Sequence, residues 1–181
     1  MPLPEILKAT RVAESRFFHV EALDLRFSNG VERRYERLPP RGRQAVIVVA
    51  VTEDDEVVLV REYLAGLHKY ELGLPKGTVS GPGETYEEAA NRELKEEAGF
   101  GARRIEYLRE LSVAPSHMGF TVHAMLARDL YPESLPGDEP EPPEVRTWPL
   151  AAIDDLFLSN ELSEARSLAA IRVAQIHMGR G

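Results

Sequence analysis

The chain has 181 residues, 43% of them hydrophobic and 29% charged, and a formal net charge of −8. Such a composition supports one sizeable core, and its acidity argues against a nucleic-acid backbone or an anionic membrane as the main partner. With no cysteine in the sequence, disulfides, thiolate zinc sites and cysteine nucleophiles are excluded.

The opening "MPLPEILKATRVAESRFF" mixes prolines and acidic residues and lacks a continuous apolar region, so it does not read as a signal peptide. No stretch approaches the roughly 18 apolar residues of a spanning helix, and a cytoplasmic protein is expected. From Phe17 to Leu38 the sequence predicts a hairpin: Leu23, Leu25 and Phe27 alternate with polar residues, and Asn29-Gly30 offers positive φ angles at the turn. "RLPPRGR" (Arg37–Arg43) interrupts regular structure. Residues 1–43 are read as a small antiparallel β appendage, and 44–181 as the main domain.

The main domain opens on "AVIVVAV" (Ala45–Val51), an apolar β-branched run suited to a central strand, and "VVLVREY" returns after a turn. Further strands are predicted around Tyr70–Leu72, Tyr107–Leu111, Phe120–Ala127 and Val145–Trp148. Helices are predicted over Tyr86–Ala98, Ala151–Leu156 and Ser163–His177. Strands flanked by helices of this kind give an α/β layered fold. The segment Pro132–Glu144, "PESLPGDEPEPPE", carries five prolines and five acidic residues, which preclude helix or interior strand. It reads as a solvated connection or as a functional loop.

Thr85-Tyr86-Glu87-Glu88 fits a capping box, and Gly99 a left-handed stop, so a helix runs between them. On a helical wheel Tyr86, Ala90, Leu94 and Ala98 form an apolar stripe. Glu97 falls within this stripe, Glu93 at its edge, Glu96 just beyond, and Asn91 and Lys95 on the opposite side. An ordinary acidic surface helix would pair Glu88 with Arg92. Like charges at Glu93 and Glu97, one of them in the apolar arc, instead cost free energy unless something neutralises them. Three carboxylates at i, i+3 and i+4 supply hard oxygen ligands for Mg²⁺ or Mn²⁺. There is no His-Glu-x-x-His, Gly-x-Ser-x-Gly or phosphate-loop motif.

These residues resemble the Nudix hydrolase family. Its signature places Gly, five residues, Glu, seven residues, then Arg-Glu-apolar-x-Glu-Glu-x-Gly-apolar. Glu84, seven residues and Arg92-Glu93-Leu94-Lys95-Glu96-Glu97-Ala98-Gly99-Phe100 match throughout. Between Gly77 and Glu84 there are six residues, one more than the family usually has. "YELGLPKG" and "DLYPESLPGDEPEP" are most similar to the family's bacterial ADP-compounds hydrolases.

The resemblance implies a Nudix-type α/β/α sandwich with a mixed sheet, carrying the N-terminal β appendage. It implies Mg²⁺-dependent hydrolysis, with Mn²⁺ as an alternative, of ADP-linked compounds such as ADP-ribose, diadenosine polyphosphates or NADH. Another nucleoside diphosphate sugar as substrate, or a non-catalytic nucleotide-sensing module, are the competing readings. Glu93 and Glu97 are the implied metal ligands, with Glu96 as a third or as a water-orienting carboxylate, and main-chain oxygen at Gly77 completes the set. Arg92 and Glu84 are implied to orient the loop. The general base falls to Glu141, Glu139 or Glu144 of the acidic loop, Glu141 first, with Glu96 a competitor. Arg61, Pro115 and Ser116 are candidates for substrate binding. The relatives are homodimers whose N-terminal region reaches the partner's nucleotide, a part for Arg33 here.

Overall fold

The computed structural model describes every residue except Arg41, Arg43, Asp138 and Gly181. The chain divides into two compact units. One comprises Met1–Arg43 and Ser112–Thr121, the other Gln44–Leu111 and Val122–Gly181.

The first unit is built on an antiparallel sheet of β1 (Glu5–Glu14), β2 (His19–Arg26) and β3 (Glu32–Arg37), in that order. The predicted hairpin is β2–β3. Only Gly30 takes a positive φ, of 81°, and Asn29 instead accepts the Val31 N–H through its side chain. The turn therefore needs one left-handed residue, not two. Strand β1 is absent from the sequence reading. Nine of its ten residues are exposed and its pairing with β2 is irregular twice, so no clean alternation marks it. Residues 114–119 form a turn in which His117 and Met118 both donate to the Ala114 carbonyl, and Gly119 N–H donates to Leu38.

In the second unit β4 (Ala45–Ala50) lies parallel to β9 (Thr121–Pro132) and antiparallel to β7 (Lys76–Thr78), in a sheet ordered β7-β4-β9-β8, with β8 spanning Phe100–Ser112. A second sheet, β10-β5-β6, is antiparallel and joins β5 (Glu56–Leu64) to β6 (Lys69–Gly73) and β10 (Glu144–Pro149). Every residue of β4 is buried, as expected of a strand covered on both faces. Val46, Val48 and Ala50 join Ala89, Ala90, Leu94 and Ala98 of helix α1 (Tyr86–Ala98) in one cluster. Ile47 and Val49 point the other way by strand alternation, and α3 (Ala165–His177) also packs on β4. The mixed sheet thus stands between helices.

Several elements differ from the predicted ones: β7 is an additional strand, β8 begins at Phe100 rather than near Tyr107, and β9 runs on to Pro132 rather than ending near Ala127. The expected helix at Ala151 is a 3₁₀ turn, Leu150–Ala152, running into α2 (Ile153–Leu158). Helix α3 starts two residues later than predicted because the Ser163 hydroxyl is engaged by buried Glu71, at 2.6 Å, and Glu164 caps the helix instead. No described helix is long and apolar enough to cross a membrane.

Candidate active site

Helix α1 is fixed at both ends by local chemistry. Thr85 Oγ1 accepts the Glu88 N–H at 3.1 Å and the Glu88 carboxylate accepts the Thr85 N–H at 2.9 Å. Gly99 closes the helix at φ 72°. Glu88 is thereby spent on the cap, and the i,i+4 pair with Arg92 does not form. Buried positions are Ala89, Ala90, Glu93, Leu94 and Ala98, so the covered arc is wider than the predicted stripe and takes in Glu93, which is 8% exposed. The opposite side is occupied as well. Lys95 pairs with Glu133 at 2.8 Å, and Asn91 accepts the Ala102 N–H at 2.9 Å.

Arg92 organises the signature. Its Nε reaches Glu84 at 2.8 Å, its Nη1 bridges Glu93 at 2.7 Å and Glu96 at 2.9 Å, and its Nη2 donates to the Thr78 carbonyl at 2.8 Å. A planar fork of donors can serve several acceptors at once, which a lysine cannot. The guanidinium holds the Glu84 carboxyl below the usual carboxylate range, helped by the Ser80 N–H. The six-residue loop turns back on itself beyond Thr78. Val79 N–H bonds Gln44, Glu84 closes back on Gly81, and Gly83 adopts φ 105°. Gly77 keeps its register opposite Val46.

Glu97 faces the other way, accepting the Lys76 N–H at 2.9 Å. Burial pushes its carboxyl up to about 7 against the opposing effect of Lys76. Burial also pulls the Lys76 ammonium down from its ordinary value, and that group is ion-paired with Glu62 of β5. Gly77 lies hard against Glu93, so that a Cβ there would overlap the carboxylate.

Among the described residues, no group of three or more His, Asp or Glu side chains is arranged to hold a metal ion. The arrangement of the partners explains this, since Arg92 joins Glu93 to Glu96 while Glu97 is held by the main chain of Lys76. The donor chemistry nonetheless fits a hard divalent ion: the available ligands are carboxylate oxygens, and the bare Gly77 backbone is packed against one of them.

A cavity of about 610 Å³ is lined by Arg61, Tyr63 and Tyr70 from β5 and β6 and by Glu139, Glu141 and Glu144 around the acidic loop. Arg61 and the three loop candidates for the base are therefore gathered at one cavity, whose lining does not include the fourth candidate, Glu96. They are differently engaged: Glu144 pairs with Arg146 at 2.8 Å and Glu141 accepts from the Tyr70 hydroxyl at 2.8 Å. The negative charge of Glu139 acts on both Glu97 and Lys76. Glu62, the partner of Lys76, lines the same cavity. Arg33, Pro115 and Ser116 belong to the first unit. Sequence reasoning missed Glu62 and Tyr70 and gave the Lys76 side chain no role. Their partners lie on other strands or in the loop, and no local spacing signals such pairs.

The chain is similar to known proteins. A family model described as the NUDIX domain matches residues 41–171, and one described as the NudE-type Nudix hydrolase N-terminal domain matches residues 4–37. The chain is 53% identical over 169 residues to ADP compounds hydrolase NudE of Escherichia coli, covering 93% of this chain and 89% of that one. It is 28% identical over 177 residues to an ADP-ribose pyrophosphatase of Bacillus subtilis, covering 94% of each. A crystal structure of an ADP compounds hydrolase superposes with a TM-score of 0.92 at 48% identity, covering 100% of this chain and 98% of the other.

Proposed function

The chain belongs to the Nudix hydrolase family, and from that premise we propose that it hydrolyses the diphosphate bond of ADP-linked compounds. ADP-ribose, diadenosine polyphosphates and NADH are the proposed substrates, and AMP and a phosphorylated remainder the products. One observation supports the reading: the partly buried face of α1 carries Glu93 and Glu96 bridged by Arg92, which also braces Glu84, with Glu97 one residue on from Glu96. A binding module with no chemistry to perform has no use for that carboxylate cluster.

Nudix hydrolases depend on divalent metal ions, and Mg²⁺ is proposed here, with Mn²⁺ able to replace it. Glu93, Glu97, Glu96 and the Gly77 main chain would hold the ion, which when bound offsets the diphosphate charge and acidifies water. Arg92 and Glu84 keep the ligands in register, and Arg61 contacts phosphate. Glu139 is the proposed general base. Water oxygen attacks one phosphorus, Glu139 accepts its proton, and the bridging oxygen leaves with the second phosphoryl group. Support for Glu139 over Glu141 is electrostatic and geometric: its charge is felt at Glu97, whereas the Glu141 carboxylate is engaged by Tyr70.

We also propose a homodimer formed through the first unit, with Arg33 reaching the partner's nucleotide. Ile6, Val12, Phe18 and Tyr35 are 55%, 43%, 58% and 50% exposed, more apolar surface than a small sheet ordinarily leaves to water. Light scattering at micromolar concentration giving only the monomer mass would reject it.

The deciding assay incubates the protein with ADP-ribose, NADH, diadenosine triphosphate and GDP-mannose, with and without Mg²⁺, in water enriched in heavy oxygen. AMP should form from the ADP compounds only with metal. Glu139→Gln should lower kcat about 100-fold or more while substrate still binds. Absence of turnover on all four substrates with metal present would favour a nucleotide-binding module instead.

A further inference from the structure

The acidic loop is anchored unevenly. Its first part is strapped to the end of α1: Glu133 N–H bonds Gly99 at 3.1 Å, Leu135 N–H bonds Lys95 at 3.2 Å, and Lys95 pairs with Glu133. Beyond it come Pro136, Pro140, Pro142 and Pro143, none with an N–H to donate. Regular pairing resumes only at Glu144, opposite Arg61. Among the described residues, the one hydrogen bond that ties 136–143 to the rest of its unit runs from the Tyr70 hydroxyl to Glu141.

The donor is itself held in place. Tyr70 sits directly opposite Tyr63 across β5 and β6, their rings edge to face at 5.8 Å. Tyr63 is bonded through its hydroxyl to His68 Nδ1 at 2.7 Å and meets the His68 ring edge to face. Tyr63 and Tyr70 line the cavity, together with Glu139–Glu144 of the loop, and His68 supports Tyr63. Tyr70 is 52% exposed, so a phenylalanine would pack there equally well. Only the hydroxyl distinguishes the two, and its partner is Glu141. A phenol donating to a carboxylate makes a charge-assisted bond, stronger than a neutral one.

We propose that Tyr70 is a positioning residue: by holding Glu141 it fixes residues 139–143, so that Glu139 is presented to the cavity that is also lined by Glu62, the partner of Lys76. The two acidic residues of the Glu139-Pro140-Glu141 stretch then have separate duties, Glu141 as the tether and Glu139 toward the reacting water. The inference rests on the reading of Glu139 as base given above. The intervening Pro140 stiffens the connection, because its φ is fixed, so holding Glu141 narrows the positions open to Glu139.

The test compares Tyr70→Phe, Glu141→Ala, Glu141→Gln, the Tyr70→Phe/Glu141→Ala double variant and Glu139→Gln in Mg²⁺-dependent ADP-ribose hydrolysis. Thermal unfolding of each variant is followed in parallel. Tyr70→Phe and Glu141→Ala should each lower kcat about 10-fold, with KM within about twofold of the parent and unfolding unchanged. The double variant should be no worse than Glu141→Ala, because both remove the same bond. Glu141→Gln, whose amide oxygen still accepts from Tyr70, should recover most of the rate lost in Glu141→Ala. Parent-like kcat in Tyr70→Phe, additive losses in the double variant, or Glu141→Gln as slow as Glu141→Ala would each overturn the tether. If those occur while Glu139→Gln is inactive, the base assignment survives and only the tether falls. A parent-like Glu139→Gln sinks both, since the tether would have nothing to present.

Discussion

Gly77→Ala adds a single methyl group at a position where the backbone itself raises no objection, since the φ of Gly77 lies outside the left-handed region. The obstacle is spatial. The new Cβ would overlap the carboxylate of Glu93, a side chain 8% exposed and bonded to Arg92 at 2.7 Å. Relief requires the carboxylate or β7 to shift by on the order of 1 Å. β7 is paired with β4, whose residues are all buried, so the carboxylate is the softer element. Overpacking of this kind costs about 1–3 kcal/mol, which for a chain of this length lowers Tm by roughly 3–10 °C. A displacement of about 1 Å in a group that holds the reacting centre costs about 100-fold in rate. Gly77→Ala is therefore expected to fold, melt somewhat early and lose about 100-fold in kcat for ADP-ribose with Mg²⁺. Gly81→Ala is the control, four residues on in the loop that follows β7, with nothing within 4 Å of an added Cβ, and should behave as the parent. A Gly77→Ala enzyme within about threefold of the parent, or a Gly81→Ala enzyme equally impaired, would refute the steric reasoning.

Two further outcomes are expected. Glu164 caps α3 by accepting the Ser167 and Arg166 N–H groups at 2.9 and 3.2 Å. Burial alone would raise its carboxyl, but Arg166 and Ser167 hold it below the ordinary value. A depressed folded-state pKa stabilises above the unfolded value of about 4.3, and the contribution is lost as pH falls through the folded value. Glu164→Ala should thus cost about 1–2 kcal/mol at neutral pH, and the gap from the parent in urea unfolding should close below about pH 4. A gap that persists or widens in acid would contradict the cap. Ile6→Asp/Val12→Asp should convert the proposed dimer to monomer in light scattering, and a dimer that survives both charges would move the interface elsewhere.

The sequence by itself determined whatever depends on neighbours along the chain. The capping box at Thr85 and Glu88, the Gly99 stop, the carboxylates of α1 and the reach of Arg92 back to Glu84 all follow from helical spacing and short loops. The buried run Ala45–Ala50 likewise announces a central strand through its composition. Tertiary structure decided what depends on distance in sequence. Glu93 is buried rather than marginal because β7 brings Gly77 onto it. Lys76 is paired because β5 supplies Glu62, and Glu141 is tethered because β6 supplies Tyr70, 71 residues away. Strand β1 exists because β2 offers it an edge, not because its own residues alternate. Side-chain periodicity reports which face of an element is covered. It carries no record of what does the covering, and at this site the covering groups decide which carboxylate is free to act.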